Sequence, residues 1–83
     1  MVTTARFDDV RVVIYSNDHR PCHVHVMNWE HEAVFHLRCP EGPAQLRSND
    51  GFSSRRLKLL CALLNEDLAY QCQQWKEIHG DFY

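Results

Sequence analysis

Apolar positions alternate in the first half of the chain and recur at helical spacing in the second. Val10-Arg11-Val12-Val13-Ile14-Tyr15 is β-branched and aromatic, without Gly or Pro, and reads as a strand. Alternation sends Val10, Val12 and Ile14 to the core and Arg11, Val13 and Tyr15 to the other side. Ser16 to Pro21 is turn chemistry, since Asn and Asp bond their own backbone and Pro21 holds Arg20 extended. In Cys22-His23-Val24-His25-Val26 the two histidines share the face opposite the valines. A third strand puts Ala33, Phe35 and Leu37 inward and Glu32, Val34, His36 and Arg38 outward. The strands are expected at about 9–16, 22–27 and 31–39, with a short fourth at 44–47. Residues 1–8 read as a frayed or edge segment.

Pairing core with core fixes the parity of the second hairpin's register but not its value. A four-residue loop pairs Met27 with Glu32 and sets His23 opposite His36, building a histidine cluster. A two-residue turn at Asn28-Trp29 sets His25 opposite Glu32, building a His–carboxylate pair. Neither turn residue is Gly, which favours the longer loop.

Ser53 or Ser54 caps a helix over about 53–79, which Gly80 ends. Leu57, Leu60, Cys61, Leu64, Leu68, Cys72, Trp75 and Ile78 form one stripe. Leu59, Leu63 and Tyr70 form a second, nearly opposite. An unbroken helix of this length measures about 40 Å, against a radius of gyration of about 12 Å for a compact chain of this size. It must therefore bend near Asn65-Glu66-Asp67 or project onto a partner. Leu59, Leu63 and Tyr70, with Trp75 as a core or interface anchor, are the candidate interface of a homo-oligomer or of a complex with another protein. The expected fold is α+β: one domain over 1–83, an antiparallel sheet of three to four strands, and one long C-terminal helix packed on one face.

Composition narrows the function classes. The 83 residues leave no room for a second core. A formal charge of −2 gives no basic footprint for nucleic acid. Arg55, Arg56 and Lys58, beside Arg47, read as a solvated helix face. No stretch is long and apolar enough for a membrane span, and Met1 to Asp9 lacks a signal-peptide core, so a cytoplasmic protein is expected. Cys22, Cys39, Cys61 and Cys72 show no C-x-x-C spacing and are expected as thiols, Cys61 and Cys72 acting as small core hydrophobes.

Ser16-Asn17-Asp18-His19, then Pro21, then His23-Val24-His25-Val26 form a distinctive signature. With Gly51-Phe52-Ser53 before a Leu-rich helix, and Trp75 followed by Ile78-His79-Gly80, the chain resembles the bacterial domain of unknown function 4160 family from about residue 6 to residue 80. Cys22 stands where that family often has a second Pro, and His31, His36 and the cysteines lie outside its pattern. The resemblance implies a small bacterial or mobile-element protein, often encoded beside another small protein in toxin–antitoxin-like arrangements.

Three readings of the histidines follow. His23 and His25, two apart on a strand, can share a metal ion such as Zn²⁺ or another divalent transition metal. His19 or His36 would add a ligand, and Glu32 a ligand or an outer hydrogen bond. Alternatively, no cofactor is bound, and His19 as acid with His23 or His25 as base performs ribonuclease-like chemistry, Arg11 or Arg20 steadying a phosphate and Tyr15 a base. On the third reading Asp18 accepts backbone N–H bonds, the histidines hold the loop and strands, and the helix supplies a protein interface. The sequence favours this last reading, which with the resemblance implies a protein-interaction component of a toxin–antitoxin-like pair.

Overall fold

A computed structural model describes residues 1–83. Five strands form one antiparallel meander in sequence order: β1 (Val2–Phe7), β2 (Val10–Ile14), β3 (His23–Met27), β4 (Glu32–His36) and β5 (Gln45–Asp50). Two helices follow, α1 (Ser54–Glu66) and α2 (Leu68–His79). The expected sheet of three to four strands and single long helix are both corrected.

The added strand β1 covers residues expected as a frayed or edge segment, and it forms one edge of the sheet. Phe7 pairs with Val10 around the two-residue turn Asp8-Asp9, where Asp8 takes a positive φ of 56°. Asp tolerates that left-handed geometry better than most residues. Thr3 pairs with Val13 and Ala5 with Val12, so Thr4 is a bulge residue without a ladder partner. Its buried hydroxyl donates instead to Gln71 Oε1 of α2 at 2.5 Å. The fourth expected strand is β5, and it runs on through Ser48-Asn49-Asp50, residue types that favour turns. Those residues pair with Val34, Ala33 and Glu32 of β4, since a sheet edge tolerates polar residues that bury nothing.

The helix breaks at Asp67. The molecule's longest extent is 33 Å, too short for an unbroken 53–79 helix. Asp67 leaves helical geometry at φ −106° and ψ 15°, and its N–H bonds the carbonyls of Leu63 and Leu64. Asn65 Oδ1 accepts the Ala44 N–H at 2.7 Å, tying the end of α1 to the loop before β5. Gln71, fully buried, donates its Nε2 to the Asp67 carboxylate at 2.9 Å. The break therefore belongs to a polar chain running from β1 through α2 to Asp67. Ser53 caps α1 by accepting the Arg56 N–H, and Gly80, at a positive φ of 94°, closes α2.

The first helical stripe lies inside. Leu60, Leu64, Cys72 and Trp75 pack against Val12, Ile14, Val24, Val26, Phe35 and Leu37 of the sheet. Each such aliphatic side chain contributes about 1.5–3 kcal/mol by leaving water. Val13, expected on the polar side, is fully buried yet outside this cluster, with Thr3 and His25 as its cross-strand neighbours. Cys39 and Cys72 form a disulfide that ties the segment after β4 to α2, and only Cys22 and Cys61 are free. This corrects the expectation of four thiols. No helix is long and apolar enough to cross a membrane.

Candidate metal centre

The β2–β3 connection carries the site. The Asp18 N–H bonds the Tyr15 carbonyl at 3.1 Å, and Asp18 Oδ2 accepts the Tyr15 N–H at 3.0 Å. This reciprocal clamp folds the loop back so that Asp18 Oδ1 comes over the start of β3. There it meets the two histidines that alternation puts on one face. Asp18 Oδ1 lies 3.5 Å from His23 Nε2 and 3.3 Å from His25 Nε2. The three ligand atoms all lie within 4.8 Å of one another. His23 is buried, and the Asp18 and His25 side chains are only 13% and 16% exposed.

The other ring nitrogens each meet an acceptor. His23 Nδ1 is 2.9 Å from the Pro21 carbonyl, which can only accept, so Nδ1 donates. His25 Nδ1 is 2.9 Å from Glu32 Oε2, an acceptor when ionised. Both Nε2 atoms then face one carboxylate oxygen, the His25 contact within hydrogen-bond reach. Metal-bound histidines are held in this way, the far N–H anchored to a carbonyl or carboxylate.

The observed register explains the arrangement. His23 pairs with His36, His25 with Val34 and Met27 with Glu32, around the four-residue loop 28–31. Glu32 is thus the diagonal neighbour of His25, close enough to bond it. The histidine pair and the His–carboxylate contact, expected as alternatives, coexist.

Aromatic rings support the site. Tyr15 stands edge-on to His25 at 4.9 Å, and His23 lies 5.3 Å from both His25 and Trp75. His79 stacks on Trp75 at 3.8 Å, and its Nε2 donates to the Tyr15 carbonyl at 3.2 Å. Trp75 is fully buried and so serves the core and the site's floor.

A cleft of about 700 Å³ opens above the cluster, with His19, Arg20, His36 and Arg47 on its walls. His19 is exposed and contributes no ligand atom to the cluster. His36 has a buried Nδ1 without a partner. Its pKa is lowered first by burial, then by the charges of Arg47 and His23. Arg20 is engaged with Asp81 at 2.6 Å. Arg11 reaches only the Met27 sulfur, at 3.8 Å. Asp18 is the one cluster member that was not expected as a ligand. A short polar loop returning onto a His-x-His strand is the signal that places it.

Fold and site together define a small α+β domain with a two-histidine, one-carboxylate cluster on the polar side of an antiparallel sheet. The chain belongs to the family described as a domain of unknown function (DUF4160), whose model matches residues 10–76 and so includes every member of the cluster. No curated protein and no solved structure matches the chain.

Proposed function

We propose that this protein binds a divalent transition-metal ion through Asp18 Oδ1, His23 Nε2 and His25 Nε2. One observation carries the reading. The 3.3 and 3.5 Å separations from Asp18 Oδ1 are long for charge-assisted hydrogen bonds, which run about 2.7–2.9 Å. These two separations match the edge of a tetrahedron with metal–ligand bonds of about 2.0–2.1 Å, which is about 3.3–3.4 Å, and the three ligand atoms as a set lie within 4.8 Å of one another. The chemistry of the donors agrees, because imidazole and carboxylate suit Zn²⁺ and neighbouring first-row ions. Three protein ligands leave a position for water or substrate, the arrangement of catalytic rather than structural zinc sites. Elemental analysis of untagged protein tests this. About one metal per chain is expected, falling to background in His25→Ala and Asp18→Asn with the fold retained. Metal-free wild type, or metal content untouched by both substitutions, would end the proposal.

A second reading has its own support. Leu59 and Tyr70 are each about half exposed on the outer side of the helices, with Leu63 half-buried between them in sequence. A protein surface of this kind fits a second copy of the chain, or the partner in a toxin–antitoxin-like pair. Light scattering and co-expression with the neighbouring gene product test it. Leu59→Glu with Tyr70→Glu should convert an oligomer or complex to monomers, and a wild type that is monomeric with no partner refutes it.

A further inference from the structure

Arg47 is the extra residue of a second bulge. Val34 pairs with Ser48 and Phe35 with Leu46, so Arg47 has no ladder partner on β4. Bulges at sheet edges commonly re-aim a side chain beside a site. Here Arg47 lines the same cleft as Asp18, His23 and His25. Arg47 has no ion pair or side-chain hydrogen bond, whereas Arg20, on the same cleft, is engaged with Asp81. His36, beside it, keeps an unpartnered Nδ1. Apart from Pro21, every side chain of this cleft is polar or charged, so it offers no apolar wall to a nucleobase or acyl chain.

We propose that the cleft takes a phosphate monoester, one oxygen on the open metal position and two on the Arg47 guanidinium. This rests on the metal reading above. The guanidinium fork fits either phosphate or carboxylate bidentately. A carboxylate has only two oxygens and cannot fill the fork and a separate metal position at once. A phosphate monoester has three non-bridging oxygens and can. The unpartnered His36 Nδ1 is a further polar group on the same cleft.

The test uses the whole chain loaded with one equivalent of Zn²⁺, the metal content being measured on the same sample. Calorimetry with methyl phosphate should show binding that metal-free protein lacks, with acetate weaker. Arg47→Ala should weaken methyl phosphate about 10- to 100-fold, the scale of a charge-assisted hydrogen bond, and Arg47→Lys should recover part of the loss. Arg55→Ala, an exposed cation on α1, should bind as wild type does. Zinc at one per chain with methyl phosphate unaffected by Arg47→Ala, or with acetate bound as tightly, overturns the phosphate site and leaves the metal reading standing. Absence of bound zinc overturns both.

Discussion

Metal binding at Asp18, His23 and His25 makes a quantitative prediction for stability. The cluster brings two imidazole nitrogens to within 3.5 Å of one carboxylate oxygen, an arrangement that the unfolded chain does not hold. An ion that binds only the folded state stabilises it by about 2.7 kcal/mol when free metal is 100 times Kd. Each kcal/mol moves the midpoint of a domain this size by about 4–8 °C. Zn²⁺ should therefore raise Tm by about 11–22 °C, less if zinc also binds thiols of the unfolded chain. His25→Ala removes one of three ligands and leaves Asp18 with His23 alone. Its Tm should shift by a small fraction of the wild-type amount at the same free zinc. Thermal melts by circular dichroism, in a zinc buffer of fixed free concentration, measure both shifts. A wild-type Tm that zinc leaves in place, or an equal shift in His25→Ala, would show that the cluster is a hydrogen-bonded histidine pair and no more.

Glu32→Gln keeps the size of the side chain but removes the charge that anchors His25 Nδ1. Zinc affinity by competition titration should fall about 10- to 100-fold while the fold persists. Cys72→Ser opens a disulfide spanning 33 residues of sequence. On the chain-entropy scale it should lose about 3–4 kcal/mol in urea unfolding, and wild type should lose a similar amount in reductant. Asp9 has its pKa lowered below 3.8, first by its hydrogen bond to Arg56 and then by that to Asn28. Its contribution to stability is complete above the unfolded value and is lost as pH falls through the folded one. The gap in stability between wild type and Asp9→Asn should accordingly be flat at neutral pH and narrow below about pH 3.8. A gap that widens on acidification would show the sign to be wrong.

The parts of the molecule that were legible in the sequence are those with strict periodicity. Period two placed His23 and His25 on one face, and helical period placed Leu60, Leu64, Cys72 and Trp75 inside. What escaped depended on contacts between distant residues. Val2, Thr3 and Thr4 are β-branched and suit a strand, but the bulge at Thr4 is held by Gln71, 67 residues away. A bend near Asn65-Glu66-Asp67 is one of two alternatives the sequence leaves open, and the bond between Asn65 and Ala44 helps to fix the break there. Ser48-Asn49-Asp50 has turn composition yet lies along β4 because its N–H and carbonyl groups find a ladder there. The Cys39–Cys72 pairing likewise depends on where α2 returns over the sheet. Asp18 looked like a loop clamp, and it is one through Oδ2; its second oxygen acquires meaning only once the hairpin closes.

The two tryptophans sit at opposite extremes of the molecule's environments. Trp29, at the β3–β4 turn, is as exposed as a tryptophan in a peptide, and Trp75 is wholly enclosed against His23 and His79. Their fluorescence should separate into a red component that iodide quenches and a blue one that iodide does not reach. The blue component lies one imidazole ring from the cluster. A paramagnetic ion such as Co²⁺ or Cu²⁺ bound there should dim it selectively, so the native protein carries an optical gauge of occupancy with an internal reference in the same chain.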